Sequence, residues 1–102
     1  MILYSVTVSL PEHLEREWVA WQKEIHIPEV LATGFFTQHQ MHKLIEPVME
    51  VGYVTYNILY RLDSLTALNT YREQFAPGLQ RKHLERFGDQ VFAVRAVMEI
   101  CS

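Results

Sequence analysis

The chemistry available to this chain lies with its five histidines, five tyrosines and two tryptophans among 102 residues. His26 comes first, because an imidazole titrates near neutrality and can take or give a proton at physiological pH. It stands in the stretch Trp18–Gly34, WVAWQKEIHIPEVLATG, behind Trp18 and Trp21. Two readings are open. In one, His26 is the polar or acid–base group of a pocket walled by Trp18, Trp21, Tyr4 and Tyr56. In the other it caps the carbonyls at the end of the first helix, where its cationic form meets the negative end of the dipole. Tryptophans on an apolar stripe are more often ordinary core than pocket wall. The two phenols, if buried, need hydrogen-bond partners that each other or the backbone can supply.

The remaining candidates are weaker. His39 and His42 are separated by an odd number of strand residues, which sends them to opposite faces and prevents a shared metal ion. No metal site is expected. His13 sits at a helix start and should face solvent. Arg81, Lys82, His83 and Arg86 form a basic cluster that complements a helix C-terminus and, secondarily, suits an anionic ligand. No nucleophile elbow, phosphate loop, dinucleotide fingerprint or paired-carboxylate site is legible, so no cofactor is expected. Cys101 is the only cysteine; it can form no internal disulfide, and a reducing, cytoplasmic setting suits it.

These residues must be held by a small framework. A chain of this length can bury roughly 60–65 % of its unfolded surface around one core, so one domain over residues 1–102 is expected. A strand-like run from Ile2 leaves no room for a secretion signal, and no apolar stretch approaches the roughly 20 residues of a membrane span. The formal charge of −3 repels a phosphate backbone, which argues against nucleic acid as a partner.

Residues 2–10 alternate, with Ile2, Tyr4, Val6, Val8 and Leu10 opposed to Leu3, Ser5, Thr7 and Ser9, which predicts a half-buried strand. Pro11 and the following glutamates open a helix whose apolar stripe is Leu14, Trp18, Trp21 and Ile25. Pro28 disfavours helical geometry at Ile27, so that helix should kink or restart there, and Gly34 should end it with positive φ. Phe35–Val48 reads as an edge strand and Tyr53–Leu62 as a third strand. Ser64 caps a second helix carrying Leu65, Leu68, Arg72, Phe75 and Leu79, interrupted at Ala76-Pro77-Gly78 and continuing through Leu84 and Phe87 to Gly88. Residues 91–100 form a last strand, with Phe92, Val94, Ala96, Met98 and Ile100 on its more apolar face.

The order β-α-β-β-α-β predicts an α+β, ferredoxin-like fold: a four-stranded antiparallel sheet with two interrupted helices on one face. If the more apolar parity of every strand meets the helices, the other face carries Leu3, Ser5, Thr7, Thr55, Asn57, Leu59, Ala93, Arg95 and Val97. A solvated face normally carries more Lys and Glu. A second copy of the chain is therefore expected to cover it, giving a homodimer through the sheet.

The pattern Tyr4-x-Val6-Thr7-Val8, Trp18-x-x-Trp21-x-x-x-x-His26-Ile27-Pro28-Glu29-Val30-Leu31-x-Thr33-Gly34-x-Phe36, then Tyr56, Ala76-Pro77-x-Leu79 and Arg86-Phe87-Gly88-Asp89, resembles a family of small bacterial proteins classed as a domain of unknown function. That family is similar in architecture to the dimeric α/β-barrel superfamily, which holds EthD-like proteins, antibiotic-biosynthesis monooxygenases, NIPSNAP-like proteins and muconolactone-isomerase-like enzymes. In EthD-like proteins a Trp-then-His-x-Pro segment is similar to Trp21, His26 and Pro28 here. The resemblance implies two sheets packed into a barrel, with a pocket between helices and sheet in each subunit, and it implies no particular activity. The expectation is a dimer binding a small aromatic or acidic ligand, as a cofactor-free enzyme using His26. The alternative is a non-enzymatic dimeric sensor or interaction module.

Overall fold

The computed structural model describes residues 1–102. Strand β1 spans Ile2–Pro11, β2 Phe36–Lys43, β3 Tyr53–Leu62 and β4 Phe92–Glu99. They form one antiparallel sheet in the order β2-β3-β1-β4. With helices between β1 and β2 and between β3 and β4, this is the ferredoxin-like α+β arrangement. The second strand is shorter than expected: regular pairing stops at Lys43, and residues 44–52 form a loop that returns through Gly52 at φ 86°. Its place at the sheet edge agrees with its polar sequence. No helix is long and apolar enough to cross a membrane.

The first helix does not break at proline. Segment α1, Glu15–Trp21, runs through a π-helical turn over Gln22–His26 directly into α2, Ile27–Ala32. Pro28 lacks the N–H that a regular α-helix would use, and the wider turn before it accommodates that loss. Ile27 stays helical at φ −60°, ψ −45°. The added residue also rotates the apolar stripe. Trp18 is followed inward by Gln22, Ile27 and Val30, while Ile25, expected on the stripe, is 44 % exposed. Gly34 ends the helix at φ 86°, its N–H donating to the Leu31 carbonyl at 3.1 Å.

The second helix also comes in two segments, α3 over Leu65–Gln74 and α4 over Ala76–Phe87. Ser64 caps it, its hydroxyl accepting from the Ala67 N–H at 3.1 Å and so satisfying one of the otherwise unpaired first-turn donors. Leu68, Tyr71, Ala76, Leu79 and Phe87 face the core. Leu65 and Leu84, expected there, are exposed: Leu65 is the first residue of α3 and Leu84 lies beyond the break at Phe75, which resets the helical phase. Pro28 and Pro77 occupy matching places, each in the first turn of its helix's second segment.

Strand β4 overturns one expectation. Tyr4 registers with Val97, Val6 with Arg95 and Val8 with Ala93, and residues opposite one another in an antiparallel pair share a face. Ala93, Arg95 and Val97 therefore lie on the helix-covered face, and Phe92, Val94, Ala96 and Met98 on the uncovered one. Both parities of this strand are apolar enough to be core, so alternation alone could not orient it; pairing with β1 does.

Candidate functional site

A cavity of about 50 Å³ lies between the sheet and the two helices. Its polar lining is Gln22 and His26 from the π-helical turn, Gln80 and His83 from α4, Arg95 from β4, and the phenols Tyr4, Tyr60 and Tyr71. Val6, Val8 and Ile58 are among its apolar walls. Gln22 and His26 are four residues apart and so share one side of the first helix, and both lie within its π-helical turn.

His26 stacks on Trp21, with ring centroids 4.9 Å apart and planes 22° from parallel. Its Nδ1 is buried and has no hydrogen-bond partner. Burial, reinforced by the neighbouring His83 and opposed by Glu29, holds its pKa down to about 4, so the ring is neutral at physiological pH. The helix runs on to Ala32 with no side-chain cap from His26, which removes the alternative of a cap at a helix end.

His83 stands 6.1 Å from His26 between ring centroids. The Trp18 indole N–H donates to its Nε2 at 2.9 Å. A neutral imidazole that accepts at Nε2 carries its proton on Nδ1, so Trp18 fixes the tautomer and leaves the Nδ1–H as a donor. Burial, aided by the Arg95 charge, lowers the His83 pKa as well. Gln22 is 2 % exposed, and its Oε1 is buried without a partner. Buried polar atoms are normally satisfied, and here two orphans, on Gln22 and His26, line one cavity.

Of the residues singled out from sequence, Tyr4 and His26 line this space and Trp18, Trp21 and Tyr56 do not. Trp18 is fully buried behind His83. Trp21 backs the His26 ring. Tyr56 donates to Glu15 Oε2 at 2.6 Å, and Glu15 also holds Lys43 at 2.7 Å; burial and that carboxylate push the phenol up to about 12. The basic cluster on α4 divides: Lys82 pairs with Glu29 and Arg86 with Glu17, while His83 turns inward. His39 and His42 register with Tyr60 and Asn57, on opposite faces of β2.

His83, Gln22 and Arg95 were not identified as site residues from sequence. The signal for His83 was present: it lies four residues after Leu79 and four before Phe87, both buried, so it shares their stripe. Gln22 stands four residues after the buried Trp18 in the same way. Arg95 offered no signal without the register of β4.

The fold and the cavity between its layers place the chain among α+β ferredoxin-like proteins. It belongs to the family described as Domain of unknown function (DUF4286), which matches residues 1–101. Among solved structures, it is similar to an ethyl tert-butyl ether d (EthD) family protein from Bacillus halodurans, at 10 % identity and TM-score 0.66, covering 99 % of this chain and 100 % of that one. It is similar to At3g17210 from Arabidopsis thaliana at 12 % identity and TM-score 0.68, covering 100 % and 99 %. A dimeric ferredoxin-like protein of unknown function from Jannaschia sp. CCS1 aligns at 16 % identity and TM-score 0.60, covering 98 % and 100 %. At such identities the likeness is one of fold. The chain matches no curated protein.

Proposed function

We propose that the chain is a one-domain, cytoplasmic homodimer that binds a small molecule between its helices and sheet, with neutral His26 as the polar or acid–base group of a cofactor-free reaction. The carrying observation is that two residues lining one cavity, His26 and Gln22, each keep a buried polar atom without a partner. Burial keeps the ring neutral, so it meets a ligand as an uncharged hydrogen-bonding group rather than as a cation. In this reading Tyr4 stands beside His26 on the lining, Trp18 and Trp21 hold the two imidazoles from behind, and Tyr56 stabilises the start of the first helix through Glu15.

The uncovered sheet face supports the dimer. Its centre is polar yet internally satisfied: Asn57 donates to Ser5 at 2.8 Å and Thr7 at 3.0 Å, and Ser9 and Thr55 share a bond of 2.8 Å. Its β4 edge presents Phe92, Val94 and Met98, all exposed. Apart from Arg61, whose buried Nε has no partner in the single chain, such a surface can be buried by a second copy without stranding polar groups. The dimeric Jannaschia protein shares the fold, and pairing two such sheets gives a barrel.

The test is an imidazole NMR titration of the intact protein against small aromatic and acidic compounds, run beside sedimentation. Movement of the His26 resonance on addition of a compound, in a particle of twice the chain mass, is the expected result. A His26 ring that ignores every compound would instead favour a dimeric interaction module. A mass of one chain at micromolar concentration would remove the dimer.

A further inference from the structure

Beside the inner cavity lies a second, of about 230 Å³, lined by Arg72 and Pro77 from the second helix and by Val97 from β4. Tyr4, Gln80 and Arg95 line both spaces, so the two adjoin along the β4 edge of the sheet. Their chemistry differs from end to end. The outer space holds two guanidinium groups and no carboxylate. Neither guanidinium is neutralised elsewhere, because the ion pairs of the chain use Lys43, Lys82 and Arg86. The only side-chain hydrogen bond of Arg72 is to the neutral Asn69, at 2.6 Å. Both cations act on the Tyr4 hydroxyl, easing the ionisation that its burial opposes.

A planar guanidinium matches a carboxylate with two parallel hydrogen bonds, and a pair of them with no acid nearby asks for an anion. The inner space asks for something else. Its polar lining includes Gln22 and His26, each with a buried side-chain atom that lacks a partner, and His83, whose Nδ1–H is a donor. A hydroxyl answers that set, since it donates and accepts at once. With about 50 Å³ at this end, only a few atoms fit; both spaces are smaller than the roughly 300 Å³ at which pockets for drug-sized ligands begin.

We infer that the two spaces together bind a small hydroxycarboxylate, its carboxylate held by Arg72 and Arg95 and its hydroxyl received by Gln22, His26 and His83. This rests on the small-molecule reading above and adds the ligand class and its direction. The outer cations draw in the anion, and the apolar walls of Val6, Val8 and Ile58 carry its body toward the neutral imidazoles.

The experiment is calorimetry and imidazole NMR on the intact protein with lactate, salicylate, salicylamide and inorganic phosphate as probes. A hydroxycarboxylate is expected to bind and to move both the His26 and His83 resonances. Loss of the anionic charge in salicylamide, or of one cation in Arg72→Gln or Arg95→Gln, should weaken binding roughly ten-fold or more, as removal of a charge-assisted hydrogen bond does. If salicylamide binds as tightly as salicylate and neither arginine variant matters, the anion inference falls while the small-molecule site stands. If phosphate binds as well as the hydroxy acids and the imidazoles stay unmoved, the site is one for bare anions and the inference is overturned. Failure of both hydroxycarboxylates to bind also overturns it. Should Arg95→Gln fail to fold, Arg72→Gln on the exposed side of α3 and the salicylamide comparison still decide the matter.

Discussion

On the helix-covered face of the sheet, Tyr4, Tyr60, Tyr71 and Phe36 crowd into one aromatic cluster, with Phe36 and Tyr71 at 4.8 Å edge to face. On the uncovered face, Asn57 gathers Ser5, Thr7 and His42 into a hydrogen-bonded ladder, and His42 reaches on to Gln40 at 2.9 Å. Some polar groups on the first face lack partners: His26 and Gln22 are buried with an atom unsatisfied, and burial shifts the imidazoles and phenols there away from their charged forms. On the second face most of them satisfy one another, although Arg61, in register with Leu3 there, keeps a buried Nε without a partner. A buried polar atom without a partner is one that a ligand can engage at a gain, whereas a closed ladder gains nothing from a ligand and loses nothing when another surface covers it. The sheet thus has one face lined by buried polar atoms without partners and one whose central polar groups are largely paired with each other.

The largest way to break that contrast is Trp18→Ala. The indole is fully buried and fixes the His83 tautomer, so its loss should cost about 3–5 kcal/mol in urea unfolding, as large-to-small changes in a core do. Next is the pH dependence of the same face. Above pH 6.5 His26 is neutral folded and unfolded. As pH falls below 6.5, the unfolded chain takes up a proton that the folded chain, with His26 at about 4, refuses. Stability is therefore lost on acidification through that window, with a slope of at most about 1.4 kcal/mol per pH unit from this residue. Glu29, held by Lys82, opposes the effect, and His83 and Arg95 reinforce it. His26→Phe should keep the stack on Trp21 and flatten the thermal-unfolding slope between pH 6.5 and 4; an unchanged slope would show that the charge is taken up elsewhere.

Effects on the uncovered face should be smaller for the single chain. Asn57→Ala removes the donor shared by Ser5 and Thr7 and should cost about 1 kcal/mol in chemical denaturation. Val94→Asp, at a position 69 % exposed in the single chain, should change the stability of one chain by no more than about 0.5 kcal/mol. By sedimentation, though, it should halve the particle mass. A mass that stays at two chains would move the interface off β4 and weaken the contrast between the faces.

Residues on the sheet's centre were legible in the sequence, and those at its rim were not. The alternation of β1 and β3 survives because both strands have neighbours on either side and helices over one face, so Tyr4, Val8, Leu10, Ile58, Tyr60 and Leu62 are buried as their period implies. Ser64, Gly34 and Gly88 marked helix ends because each supplies a local requirement, an acceptor or a positive φ. Strand β4 has only one neighbouring strand, and its residues are all exposed in the single chain, so no burial difference disciplines its two parities. That is why alternation alone assigns Arg95 to the wrong face. The inward turn of Ile27 in place of Ile25 was hidden for a different reason: the wide turn adds a residue to the helical count, which no fixed period of 3.6 can carry.

That wide turn has a consequence for how the chain can vary in length. Each residue advances a regular helix by about 100°, and the Gln22–His26 turn absorbs such an increment locally. Removing one residue there would restore an even helix while turning either the flank with Trp18 or the flank with Ile27 and Val30 away from the sheet. The site's two inward groups and the core beyond them are thus phased by a single surplus residue, and this segment should tolerate exchange of side chains far better than any change in its number of residues.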